Sequence, residues 1–137
     1  MSIYEQMGGE TGVRRLVETF YDIVESEPEG EPLRVMHNEG NGLRHAREAQ
    51  FLFLSGFLGG PQLYVEQFHH SNVKQVHAHL KIGAVEAQSW LSCMDKALTQ
   101  TADEETRRRL MQNFTRVAEA LRTTPASVQN PLKAIST

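Results

Sequence analysis

Apolar residues recur every three or four positions in four separate segments of this chain. This spacing places the side chains of each segment on one face of an α-helix. The first segment predicts a helix that starts near Glu10 and ends before Pro28. The second predicts a helix from about Asn41 to Leu58, which Gly59-Gly60-Pro61 stops. The inward stripe of the first helix contains Val13, Leu16, Val17, Phe20, Tyr21 and Val24.

Two further helices are predicted in the C-terminal half, and we expect them to pack together. Their apolar faces are formed by Trp90, Cys93, Met94 and Ala97 in one and by Leu110, Phe114, Val117 and Leu121 in the other. No alternating run rich in Val, Ile and Thr is bounded by turn signals, so a sheet is not expected. A chain of 137 residues is the size of one domain. The predicted class is therefore a single all-α domain.

Composition excludes several classes of partner. The chain has 14 basic and 17 acidic residues and no basic run longer than Arg107-Arg108-Arg109, so nucleic acid is not an expected partner. The first residues lack the pattern of a signal peptide, and no segment approaches the ~20 apolar residues of a membrane span. A single cysteine, Cys93, is expected to be a buried, inert thiol. These features predict a cytoplasmic protein. We expect it to be a monomer or a weak homodimer.

The C-terminal segment 124–137 differs from the rest of the chain. It contains Pro125, Pro131 and one charged residue, Lys133, and it has no apolar period long enough for a helix. We expect residues 1–123 to form the domain and residues 124–137 to be a loosely attached tail.

Histidines are concentrated in the weakly periodic segment between Gln62 and Ile82. Four of the six in the chain lie there, namely His69, His70, His77 and His79. No phosphate-binding loop and no H-E-x-x-H motif occurs, so phosphate binding and zinc proteolysis are disfavoured. A metal site using His70, His77 and carboxylates stays open. However, the sequence has one Glu-x-x-His pair, Glu66 with His69, whereas bundle metal sites usually draw two such pairs from different helices.

Three polar side chains lie on inward stripes of three different helices: Tyr21, Gln50 and Trp90. Buried polar groups need hydrogen-bond partners. Each one alone is compatible with ordinary packing against a backbone carbonyl. Together they suggest that the helices share a cavity.

Several short motifs, spread over about residues 4–122, resemble the second group of the truncated haemoglobins. They are Gly8-Gly9 after a very short first helix, Phe20-Tyr21, Phe53-Leu54 before Gly59-Gly60-Pro61, His77-Ala78, Ile82-Gly83 and Trp90-Leu91-Ser92-Cys93-Met94. The resemblance implies a two-over-two helical sandwich around haem b. It also implies that His77 is the proximal iron ligand and that His70 has a structural role.

The resemblance further implies which residues surround the haem. Expected haem contacts are Phe53, Leu54, Tyr64, Lys74, Lys81 and Trp90. Relatives often have an arginine just before the proximal histidine to pair with a propionate, where this chain has Val76, so Lys74, Lys81 or Tyr64 is expected to take that role. His79 and Lys81 replace prolines common in relatives, which predicts a more mobile proximal loop.

The expected distal ligand pocket consists of Tyr21, His37, Ala46, Gln50 and Trp90. A hydrogen bond to a charged group is worth about 1.5–3 kcal/mol, so each donor there should slow oxygen release about ten- to hundredfold. Relatives more often have Tyr or Phe at the position of His37. An imidazole there could donate a hydrogen bond or bind iron as a sixth ligand. His45 is expected to face solvent.

The resemblance implies binding of oxygen and other diatomic ligands. Two uses are weighed. One is redox chemistry with an unknown electron donor, either peroxide reduction or conversion of nitric oxide and bound oxygen to nitrate. The other is a non-catalytic sensor or scavenger in which His37 gates the iron.

Overall fold

The computed structural model describes residues 2–38, 42–68 and 82–121. Within these ranges the chain is helical and contains no strand, which confirms the all-α prediction. The helices in order are α1 (Ile3–Gln6), α2 (Gly9–Ser26), a 3-10 turn (Pro28–Gly30), α3 (Glu31–Asn38), α4 (Leu43–Phe57), α5 (Leu63–Phe68), α6 (Ala84–Thr101) and α7 (Glu104–Leu121).

The four long helices form two packed pairs, α2 with α4 and α6 with α7. Contact between α2 and α6 joins the pairs, and α3 packs against α6 at the side. The predicted packing of the last two helices is therefore confirmed. Along the described ranges, no helix combines the length and the apolar character that crossing a bilayer requires.

The predicted boundaries of the two N-terminal long helices agree with the structure to within about two residues, apart from Asn41, which lies outside the described residues. Two short helices, α3 and α5, were not predicted from the sequence. They have 8 and 6 residues, which is too few to show a sustained helical period. The spacing of Leu33, Met36 and His37, at i, i+3 and i+4, is the sequence pattern that could have indicated α3.

The glycines after α4 allow α1 to approach closely. The backbone N–H of Tyr4 donates to the carbonyl of Leu58 at 2.9 Å. A Cβ atom on Gly60 would lie 2.3 Å from the Tyr4 ring, and Gly59 has a φ of +99°. Both positions therefore favour glycine. The turn ends α4 and places α1 against it.

A solvent-free core lies where α2, α6 and α7 meet. Its fully buried side chains are Val13, Leu16, Val17, Phe20, Cys93, Met94, Ala97, Leu98 and Leu110. The burial predicted for Cys93 is confirmed. Burial, together with the nearby charge of Glu29, raises the pKa of the Cys93 thiol to about 11. The thiol is therefore protonated at neutral pH.

Candidate functional site

A cavity of about 150 Å³ lies between α2, α3, α4, α6 and α7. Most of its lining is apolar, and α7 contributes a continuous stripe of Phe114, Val117, Ala118 and Leu121. The cavity borders the solvent-free core, because Tyr21 adjoins Phe20 on α2 and Trp90 lies one turn before Cys93 and Met94 on α6. The same helices thus form both the core and the cavity.

Tyr21 is buried in the cavity wall and is bonded across it. Its side chain is 2% exposed, and its hydroxyl donates to Oε1 of Gln50 on α4 at 3.4 Å. Burial raises the pKa of Tyr21, and the positive charge of Arg47 opposes this rise only in part. Tyr21 therefore remains a neutral phenol with a hydrogen to donate. Since Tyr21 donates to the Gln50 oxygen, the Gln50 amide nitrogen can donate to another group.

Trp90 on α6 lies between two aromatic rings. Its ring centroid is 5.5 Å from that of Phe20 and 5.1 Å from that of Phe114. The indole N–H makes no hydrogen bond to any residue in the part of the chain described. A lining residue with an N–H donor in a largely apolar cavity can bind a polar atom placed there.

His37, at the end of α3, also lines the cavity. Its Nδ1 lies 2.9 Å from the carbonyl oxygen of Leu33, and its ring centroid lies 6.3 Å from that of Tyr21. A carbonyl can only accept, so Nδ1 carries a hydrogen, and in a neutral imidazole Nε2 then has the lone pair.

The remaining expected contacts that the structure describes lie on the same cavity wall. They are Ala46, Phe53, Leu54 and Tyr64. Burial raises the pKa of Tyr64, which keeps its hydroxyl protonated. His45 is exposed, as expected, but it also lines the rim of the cavity.

Arg47 is a neighbour of the site that the sequence analysis did not identify. It forms ion pairs with Glu18, Asp22 and Glu25 on α2, and its guanidinium lies 5.7 Å from the centroid of the Tyr21 ring. The sequence could have indicated this cluster through the spacing of the three acidic residues, which places them on one face of a helix around Tyr21.

Several expected site residues lie outside the described residues: His70, Lys74, Val76, His77, His79 and Lys81. The described residues on either side of this segment include Tyr64 and Ile82, and both line the cavity. Within the described ranges, no group of three His, Cys, Asp or Glu side chains is arranged to hold a metal ion. The alternative non-haem site depends on His70 and His77, which also lie outside those ranges.

The described wall of the cavity is chemically suited to haem. Apolar side chains from α4, α6 and α7 can cover the faces of a porphyrin, while Tyr21, Gln50 and Trp90 supply hydrogen-bond donors from three helices. A solvent-free core would not leave the indole N–H of Trp90 without an acceptor among the residues that the structure describes.

Comparison with known proteins agrees with this description. The family model of the bacterial-like globins matches residues 2–123. The group 2 truncated hemoglobin YjbI of Bacillus subtilis is 36% identical over 95 residues, covering 69% of this chain and 67% of that protein.

Solved structures give the same result. A cold-adapted truncated hemoglobin from Pseudoalteromonas haloplanktis is 33% identical with a TM-score of 0.84, covering 90% of this chain and 99% of that one. A group II 2-on-2 hemoglobin from Agrobacterium tumefaciens is 29% identical with a TM-score of 0.83. The match covers 89% of this chain and 94% of that one.

The helical fold and its cavity define a globin. The chain belongs to the bacterial-like globin family and, within it, to the group II truncated haemoglobins with their two-over-two arrangement of helices. As a globin it binds haem and, through haem, oxygen or other diatomic ligands.

Proposed function

We propose that this chain holds haem b through His77, binds oxygen and other diatomic ligands, and carries out redox chemistry on the bound ligand, in the cytoplasm. The reactions considered are peroxide reduction and the combination of nitric oxide with oxygen to give nitrate. The observation that carries the proposal is the convergence of Tyr21, Gln50 and Trp90 on one largely apolar cavity.

Haem, when bound, supplies an iron atom at which diatomic ligands bind and exchange electrons. The protein's own part is to orient and polarise the ligand. Trp90 offers its indole N–H, and the Gln50 amide nitrogen offers a second donor while its oxygen accepts from Tyr21. The Tyr21 hydroxyl can also turn to the ligand. Such fixed donors stabilise developing negative charge in a site that excludes water.

Both redox reactions need electrons from outside the chain. Forming nitrate from nitric oxide and oxygen takes one electron, and reducing a peroxide to water takes two. The described residues of the cavity include no thiol, since Cys93 lies in the solvent-free core with a raised pKa. The electron donor in this proposal is therefore a separate reductant, and catalysis should depend on it.

The second candidate function is non-catalytic ligand binding, as a sensor or scavenger. The position of His37 favours it, because the ring lines the cavity and its bond to the carbonyl of Leu33 orients it there. In this candidate His37 would be a sixth ligand of the iron and would compete with a diatomic ligand for it. That competition would slow ligand binding.

The first experiment is the visible absorption spectrum of the purified protein with haem, recorded in the ferric, ferrous and ferrous carbon monoxide states. We expect stoichiometric haem uptake and an intense Soret band that responds to carbon monoxide. Absence of stoichiometric uptake would refute the proposal and favour the histidine metal site. Low-spin features without added ligand, lost in His37→Ala, would support the sixth-ligand role.

The proximal assignment is tested by His77→Gly. We expect this variant to lose haem, or to bind it only when imidazole is added to replace the missing ring. His70→Gly is the control and should keep the wild-type spectrum. A normal haem spectrum in His77→Gly would show that the ligand assignment is wrong.

Turnover separates the two candidate functions. With a reductant present, the enzyme hypothesis predicts repeated consumption of peroxide or of nitric oxide by the oxygen-loaded protein. The sensor hypothesis predicts ligand binding with negligible turnover under the same conditions. Turnover should fall in Tyr21→Phe and Trp90→Phe if these side chains polarise the reacting ligand.

A further inference from the structure

Arg47 on α4 lies against the outer side of Tyr21. Its Nη2 atom is 3.0 Å from Oδ1 of Asp22 and 2.8 Å from Oε2 of Glu25, and its Nη1 atom forms an ion pair with Glu18. These carboxylates occupy positions −3, +1 and +4 relative to Tyr21, so they surround it along α2. One guanidinium thus links α4 to α2 on both sides of the buried phenol.

The Arg47 side chain is partly withdrawn from solvent, with 19% exposed, whereas its carboxylate partners are 45–74% exposed. Burial by itself would lower the pKa of Arg47, but hydrogen bonds to Glu25, Asp22 and Glu18 raise it, so the guanidinium stays charged. A planar fork with several donors can satisfy more than one carboxylate at once, which a lysine cannot.

Arg47 is also three residues before Gln50, on the helix that carries the acceptor of the Tyr21 hydrogen bond. The separation between the Tyr21 hydroxyl and the Gln50 amide depends on how α2 sits against α4. The Arg47 ion pairs fix that placement beside the bonded pair.

We propose that Arg47 is a positioning residue of the ligand pocket: by binding Glu18, Asp22 and Glu25 across Tyr21, it holds the Tyr21 hydroxyl against Gln50 and so controls ligand release. This inference rests on the proposed haem function. Arg47 does not line the cavity, so it acts only through Tyr21 and Gln50.

The chain offers a matched control in Arg14, which joins the same two helices elsewhere. Nη1 of Arg14 is 3.2 Å from Oε1 of Glu48, and its guanidinium lies 3.7 Å from the centre of the Phe51 ring. Neither Arg14, Glu48 nor Phe51 lines the cavity. Loss of either arginine should weaken the α2–α4 contact, but only loss of Arg47 should affect the pocket.

The experiment compares Arg47→Gln, Arg47→Lys and Arg14→Gln as haem-loaded proteins. In Arg47→Gln the Tyr21 hydroxyl no longer holds the Gln50 amide in place. We therefore expect oxygen to dissociate about tenfold faster, the effect of weakening the hydrogen bond from the Gln50 amide nitrogen to the ligand. We also expect a higher stretching frequency for bound carbon monoxide. Arg47→Lys should recover part of both changes. Arg14→Gln should match the wild type in both measurements.

A second measurement reports the position of Tyr21 directly. The chain has three tyrosines, so ¹³C-tyrosine labelling of the carbon monoxide complex gives a simple NMR spectrum with Tyr4 and Tyr64 as internal references. In Arg47→Gln we expect the Tyr21 signals to shift while the other two stay in place. If Arg47→Gln does not fold, Glu25→Gln should give a smaller shift in the same direction.

Two results distinguish the possible failures. If the wild type takes up haem and binds carbon monoxide but Arg47→Gln and Arg14→Gln have the same dissociation rate and spectra, Arg47 is only structural and the inference is wrong. If the wild type takes up no haem, the proposed function itself has failed.

Discussion

At one end of the molecule, α2, α6 and α7 meet in a core that excludes solvent completely; at the other end the same three helices surround a cavity. On α7, for example, Leu110 is fully buried among aliphatic side chains, whereas Val117 and Leu121 line the cavity. On α2, Tyr21 alone lines the cavity, while Val17 and Val24, one turn to either side of it, are fully buried. The apolar stripe of α7 therefore serves packing along one half and lines the cavity along the other.

The two ends also differ in the polar side-chain atoms that they contain. In the core the only sulfhydryl is the inert thiol of Cys93, and α6 contributes Met94, Ala97 and Leu98 beside it. In the cavity, polar atoms from three helices lie together, and one bonded pair leaves donors for a further group. Core residues should thus determine stability, while cavity residues should determine ligand behaviour.

The largest expected effect is on stability, from Leu110→Ala. Removing a fully buried leucine leaves a cavity in the core, so the free energy of unfolding should fall by about 2–5 kcal/mol. Leu121→Ala makes the same chemical change on the same helix, but at the wall of the existing cavity, and should cost about 1 kcal/mol or less. Urea unfolding of the haem-free proteins measures both. Equal losses would erase the distinction between core and cavity.

The next effect is on ligand release, from Tyr21→Phe. Deleting the hydroxyl removes a donor that can turn to the ligand and leaves the Gln50 amide unfixed, so oxygen release should accelerate about ten- to hundredfold. Haem should be retained, since the aromatic ring at position 21 still packs against Phe20, with a distance of 4.7 Å between the ring centroids. Stopped-flow dissociation measures the rate. Tyr4→Phe, which changes a tyrosine outside the cavity, should release oxygen at the wild-type rate.

A smaller effect concerns acid stability at the start of α7. The backbone N–H of Thr106 donates to Asp103 at 2.7 Å and holds the pKa of that carboxyl below its usual value. A lowered folded-state pKa contributes stability above the unfolded value of about 4, and this stability is lost as the pH falls through the folded value. Asp103→Asn should therefore flatten the fall in Tm on acidification. Glu10→Gln, an exposed change on α2, should leave the slope as it is.

The smallest expected effect is on the rate at which a reagent labels the Cys93 thiol, which measures how often the solvent-free core opens. Since the Cys93 thiol has a pKa of about 11 and is buried, native protein at neutral pH should react with a thiol reagent only as fast as it opens. Unfolded protein should react at once. Leu110→Ala should accelerate labelling of the native protein, whereas Tyr21→Phe should not. Fast labelling of the wild type would contradict the proposed core.

Much of the architecture could be predicted from the sequence, because long helices repeat their apolar residues often enough to be recognised. The helices α2 and α4, the contact between α6 and α7 and the burial of Cys93 are examples. The short helices α3 and α5 have too few turns for a repeat of apolar residues to be recognised in the sequence. The position of His37 in the cavity depends on α3, so its bond to Leu33 could not be foreseen from spacing.

The sequence by itself determined which side chains face inward, because helical spacing decides the face of each helix on which a residue lies. It placed Tyr21, Gln50 and Trp90 on inward stripes before any contact between helices was known. Only the tertiary structure decided that Tyr21 donates to Gln50, that the Trp90 indole has no acceptor among the described residues and that Arg47 closes over Tyr21. Those facts depend on how α2, α4 and α6 cross, and the angle and distance between packed helices are set by all their side chains together.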